Sequence, residues 1–93
     1  MIESFGCKDT HKIWEGQATR KWSGETIHKT LRKLFIIHAA IELKDLAIPP
    51  SNRLHKLKGD LKGFWSISVN DQWRLIFKWN DGMASEVQLV DYH

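Results

Sequence analysis

Three short stretches of the sequence carry side chains that can move protons and hold phosphates. His55, Lys56 and Lys58 stand in HKLKGD, Arg74 stands between Trp73 and Leu75, and Asp91, Tyr92 and His93 close the chain. A guanidinium offers a planar fork of donors that matches the oxygens of a phosphate. Cleavage of RNA by its own 2′-hydroxyl needs a base for that hydroxyl, a cation for the crowded phosphorane and an acid for the departing 5′-oxygen. Arg, Lys, His and Tyr supply all three. The same residues also have plainer readings: Arg74 as a salt-bridged sheet residue, His55 as an ordinary strand-edge histidine, Tyr92 as a core residue with its hydroxyl at the rim. On pattern alone both sets of readings stand.

Other chemistries find less support. The five histidines and Cys7 show no Cys-x-x-Cys or His-x-x-x-His pair, so no metal and no other cofactor is expected. There is no Gly-x-Ser-x-Gly elbow for a hydrolase triad, and GDLKG lacks the length and the Lys-Ser/Thr ending of a phosphate-binding loop. A single cysteine excludes an intrachain disulfide and points to a reducing, cytoplasmic setting. The opening MIESFGCKDT has neither the basic start nor the apolar run of a signal sequence, and no stretch is long and apolar enough for a membrane span, so no membrane partner is expected. The net charge of +3 is modest, but Arg53 to Trp79 hold six basic and two acidic residues while the rest of the chain is close to balanced. Such clustering suits a face that meets phosphates, and suits equally a solvated strand edge kept soluble by lysines.

These residues need a scaffold, and 93 residues with 42% hydrophobic content suffice for one core, so residues 1–93 are read as a single domain. Met1 to Phe5 reads as an edge strand. Asp9 is placed as the cap of a short helix that Gly16 ends, with Ile13 and Trp14 turned inward, and Gly16 to Gly24 reads as a polar connection. From Glu25 to Ile41 the residues Ile27, Leu31, Leu34, Ile37 and Ile41 form one helical stripe, with Ser23 as its N-cap. Glu42 to Ala47 continues as a short helix up to Pro49 and Pro50. Beyond the prolines the period becomes two: a strand around Arg53 to Leu57, then Phe64 to Val69, Trp73 to Trp79 and Ala84 to Val90. Asn70-Asp71 and Asn80-Asp81-Gly82 read as hairpin turns, because these residues tolerate positive φ. The fold class is therefore α+β, with an N-terminal strand and two helices packed on one face of a twisted, mainly antiparallel sheet. Arg74 alternates away from the core, so its removal is expected to leave no buried cavity.

At this point the residues become recognisable. The run HKLKGDLKGFWSISVNDQWRLIFKW, the terminal DYH and the opening MIESF together resemble the HigB toxins, also called plasmid-maintenance killer proteins, over essentially the whole chain. The resemblance implies a RelE-like fold and the toxin of a type II toxin-antitoxin system, an endoribonuclease that cuts mRNA on the ribosome without a metal. It implies a HigA-type helix-turn-helix antitoxin, the 70S ribosome and mRNA as partners, with operator DNA reached only through the antitoxin. Carried over position by position, Arg74 stabilises the phosphorane, Lys58 holds the scissile phosphate or assists proton removal, His93 with Tyr92 handles protons, Asp91 orients a neighbour, and His55 joins this catalytic rim. Lys56, Lys62, Asn70 and Lys78 are expected along the substrate strand. Asn70 departs from members that carry a second arginine there, which makes the clamp less cationic.

Two other readings share the scaffold. One resembles the ParE toxins, which inhibit gyrase without cutting nucleic acid; the basic HKLKGD and the terminal DYH argue against it. The other is an RNA- or ribosome-binding module without cleavage, which would expose its aromatic residues for stacking.

Overall fold

A computed structural model describes residues 1–91. Two helices, α1 (Lys8–Trp14) and α2 (Gly24–Ala39), precede four strands, β1 (His55–Lys56), β2 (Trp65–Ser68), β3 (Trp73–Asn80) and β4 (Met83–Asp91). The strands pair antiparallel in the order β1-β2-β3-β4. Short 3-10 turns at Leu43–Ala47, Pro50–Asn52 and Gly59–Leu61 carry the chain past the two prolines and into the sheet.

Helix α2 starts where its cap was read, with the Ser23 hydroxyl accepting from the Thr26 amide at 3.2 Å. It stops at Ala39, because Ala40 turns to extended backbone. Ile41 therefore falls off the stripe and is 81% exposed. The buried line runs Thr26, Thr30, Leu34, Ile37, whereas Ile27 and Leu31 flank it half-buried. Helix α1 begins after Cys7, and Asp9 sits inside its first turn rather than at the cap. Its Thr10 is fully buried, and the Thr10 hydroxyl accepts from the Leu89 amide of β4 at 3.0 Å.

The stretch read as a polar connection holds Trp22, which is buried and meets Trp73 edge-on with ring centroids 5.9 Å apart. A lone tryptophan between polar residues has no period to betray it. The core otherwise gathers Leu34, Ile37 and Leu46 against Ile67, Leu75, Phe77, Ala84, Val87 and Leu89 of the sheet.

The N-terminal segment does not form a strand of its own. It lies parallel along β4 through bridges at Ile2–Ala84 and Phe5–Val87. A bulge in β4 explains the break between them: the register with β3 shifts between Ile76 and Lys78, and Glu86 takes φ 52°. The extra residue lets Ala84 and Val87, three apart, face the same core.

The two hairpins use different turn chemistry. Asp81 and Gly82 both have positive φ, the two-residue turn expected from Asn-Asp-Gly. Asn70 and Asp71 do not. There the Asn70 side-chain oxygen accepts from the amides of Gln72 at 2.9 Å and Trp73 at 2.8 Å, so a side chain closes the turn.

Candidate active site

On the sheet face away from the core, Ser66 of β2 and Arg74 and Ile76 of β3 share one side by strand alternation. Arg74 does lie on this face, but it is not exposed. It is 6% accessible, and its removal would uncover a buried hydroxyl, contrary to the expectation of an unencumbered surface arginine. Its Nε donates to the Ser66 hydroxyl, and its Nη2 reaches the Arg53 carbonyl at 3.2 Å and His55 Nδ1 at 3.3 Å. Ser66 is itself fully buried, so the guanidinium is fixed from beneath.

His55 Nδ1 lies between two partners of opposite kind. The Arg74 guanidinium, at 3.3 Å, can only donate to it, and the Arg53 carbonyl, at 3.1 Å, can only accept from it. Either contact holds the ring by Nδ1 at the wall of the cavity that Arg74 lines.

Arg74 and His55 line a cavity of about 280 Å³ together with Ser66, Asp91 and the apolar side chains Leu57, Leu61, Ile76 and Val90. A charge fixed against apolar walls interacts more strongly with an anion than one in open water. Asp91 is oriented from across the strand pair, where Gln72 Nε2 donates to its Oδ2 at 3.3 Å. Leu57 also borders a smaller groove of about 210 Å³ with Lys56, Lys58, Gly59 and Lys62. That loop is shaped by Gly59 at φ 67°, with Lys58 extended before it. The Lys56 ammonium lies 6.0 Å from the Trp65 ring centroid.

The sequence-derived candidates thus separate into groups. Arg74, His55 and Asp91 share one cavity, and Lys56, Lys58 and Lys62 line the groove beside it. Asn70 lies at a different cavity and uses its side chain in the turn. Lys78 lines none of these spaces; its ammonium pairs with Glu86 at 2.9 Å and lies over the Phe64 ring. Tyr92 and His93 fall outside the described residues. Among the described residues no three His, Cys, Asp or Glu side chains come together as a metal-binding group, and no helix is long and apolar enough to cross a membrane.

Sequence reasoning passed over Ser66, Gln72 and the Arg53 carbonyl. Ser66 was within reach of it, since alternation across the β2–β3 hairpin places it on Arg74's side. The Arg53 carbonyl left no trace in residue type, because a backbone atom does the work.

Comparison with solved structures shows the fold. The chain superposes on the YoeB–YefM toxin-antitoxin complex from Staphylococcus aureus with TM-score 0.63 at 16% identity, covering 100% of this chain and 98% of that one. It also matches YafQ from E. coli with TM-score 0.60 at 22% identity, covering 99% and 92%. This is the small α+β fold of such toxins. A family model described as the RelE-like toxin of the type II toxin-antitoxin system HigB matches residues 3–93, and the chain belongs to that family. Toxin HigB-1 of Vibrio cholerae is 55% identical over 90 residues, spanning 96% of this chain and 95% of that protein. Endoribonuclease HigB of Proteus vulgaris is 33% identical over 93 residues, spanning 100% of both. The gyrase-inhibitor reading gains no support from these matches.

Proposed function

We propose that this chain is an endoribonuclease that cuts mRNA within the ribosome and so arrests translation. The observation that carries the reading is Arg74, a guanidinium fixed by Ser66 and the Arg53 carbonyl at an apolar-walled cavity that it shares with His55 and Asp91. Membership of the HigB family and the relative named as an endoribonuclease support it.

In this scheme the 2′-oxygen attacks the adjacent phosphorus, the bond to the 5′-oxygen breaks, and the products are a 2′,3′-cyclic phosphate and a 5′-hydroxyl. Arg74 neutralises charge on the phosphorane. His55, held by Nδ1 beside Arg74, faces the substrate from the same cavity. Lys58, which lines the neighbouring groove, holds the scissile phosphate or takes part in removing the 2′ proton, and Tyr92 and His93, next in sequence to Asp91, complete the proton transfers. Lys56 and Lys62 steer the strand. No metal is required, because each charge that develops has a side chain to meet it.

A HigA-type helix-turn-helix antitoxin is the partner proposed for this toxin in the cytoplasm. The excess of positive charge is small for tight binding of free RNA, which is why the ribosome is assigned the task of presenting the message. Sequencing mRNA 5′ ends after brief induction tests the reading. Discrete new ends inside translated frames, lost when initiation is blocked, are expected. Intact messages during growth arrest, or equally efficient cutting of naked mRNA, would overturn it.

A further inference from the structure

A second polar cavity, of about 240 Å³, opens beside the first and is lined by Lys33, Ser51, Arg53, Ser68, Asn70 and Asp71. Arg53 lines the second, and its carbonyl accepts from Arg74 of the first. It ends the Pro50–Asn52 turn at φ 49°, ψ 48°, a left-handed conformation that disfavours any residue with a Cβ. Strained backbone of this kind persists where the surroundings demand it, often at functional sites. Here it sends the Arg53 carbonyl to Arg74 while Arg53 also lines the second cavity. Among the described residues the Arg53 guanidinium has no hydrogen-bond or ion-pair partner.

The second cation is held in place rather than free. Asn52 is fully buried, and its amide nitrogen donates to the carbonyls of Leu46 at 3.1 Å and Ile48 at 3.2 Å. This fixes its oxygen toward α2, where it accepts from the Lys33 ammonium. Burial holds the Lys33 pKa below the ordinary lysine value, a cost that an anion beside it would relieve. Ser51 adds a hydroxyl at the same wall, the Ser68 hydroxyl there donates to the Asn70 carbonyl at 3.0 Å, and Asp71 is the one acid on it.

Ser66 of the first cavity and Ser68 of the second lie two residues apart on one side of β2, about 6.6 Å along the strand. One backbone step of an extended RNA strand spans that interval. We propose that the second cavity is an anion subsite for the phosphodiester next to the one held at Arg74, with Arg53 as its fork and Lys33 as its fixed charge. The inference rests on the nuclease reading of the first cavity and adds to it a register for the RNA strand.

The test is an NMR titration of the whole chain with an uncleavable 2′-O-methyl tetranucleotide across a range of salt. Wild type is expected to show shifts both at residues 51–53 and 68–71 and around His55 and Arg74. Arg53→Gly removes the guanidinium while easing the left-handed backbone that places the carbonyl. It is expected to weaken binding on the order of tenfold and to flatten the slope of log affinity against log salt by about 0.7, one single-strand phosphate contact. Arg53→Lys should recover much of the slope. Silence at residues 51–53 and 68–71, or an unchanged slope in Arg53→Gly, overturns the subsite even if Arg74's surroundings respond. A wild-type chain that leaves translated messages intact overturns the nuclease reading instead, whatever the titration shows.

Discussion

The edge of the sheet at β4 is closed by the chain's own N-terminus, whereas the edge at β1 is two residues long and gives way to a lysine-bearing loop. Along β4, Ala84 donates to the Met1 carbonyl at 2.8 Å and accepts from Glu3 at 2.7 Å, and Val87 does the same with Ser4 and Gly6. Glu86 donates to the Ser4 hydroxyl and Leu89 to Thr10. Gly6 passes so close that a Cβ there would meet the Gln88 side chain at 2.7 Å. At β1 the pairing is only His55–Ser66 and Lys56–Trp65, and a short, charged edge resists pairing with another chain. Covering an edge with backbone consumes the polar groups a ligand would need. Leaving it short keeps Arg74's cavity open.

If the two edges divide stability from chemistry in this way, substitutions should sort accordingly. The largest effect on the fold belongs to the core behind β3 and β4, where Phe77 is fully buried opposite the bulge. Phe77→Ala should cost about 3–5 kcal/mol in urea unfolding. A loss below about 1 kcal/mol would mean that the bulge region repacks freely.

Next comes the seal itself. Thr10→Val keeps the shape but leaves the buried Leu89 amide without its acceptor, so a loss of about 1–3 kcal/mol is expected, with cleavage unchanged at temperatures where the variant is folded. Equal stability in thermal melts would show that the edge does not depend on this bond.

The smallest effect is expected at Lys78. Its pair with Glu86 is about half exposed, so Lys78→Met should shift stability by less than about 0.5 kcal/mol. Cleavage should stay within about twofold of wild type, since each lost surface contact contributes little. A larger fall in cleavage would extend the RNA track along β3 and blur the division between the edges.

How far the sequence could be read follows the same line. Alternation in Trp65–Val69 and Trp73–Trp79 and the 3–4 spacing in α2 reflect one face turned to the apolar core, so elements of regular period were legible. Trp22 and the buried pair Thr26 and Thr30 were not, because an isolated tryptophan has no period and threonine is buried by position rather than by hydropathy. For the site, residue types pointed to Arg74 and His55 but not to the burial of Arg74. That depends on the left-handed turn at Arg53, which aims a carbonyl no side-chain pattern records. The parallel docking of residues 1–6 on β4 likewise pairs segments some eighty residues apart, beyond any local signal.

We propose that the buried guanidinium of Arg74 acts on the phosphate as well as tying β2, β3 and the Arg53 turn together. Because both roles fall on one side chain, melting and cleavage must be measured on the same samples. Arg74→Ala should lower stability by about 1–3 kcal/mol through the orphaned Ser66 hydroxyl and Arg53 carbonyl. Arg74→Lys should lower it less. At a temperature where both variants are fully folded, translation-dependent mRNA cleavage should fall on the order of 10²-fold in the alanine variant. The lysine variant should lie between it and wild type, since an ammonium restores charge without the fork. Folded variants that cut mRNA at the wild-type rate would contradict the claim.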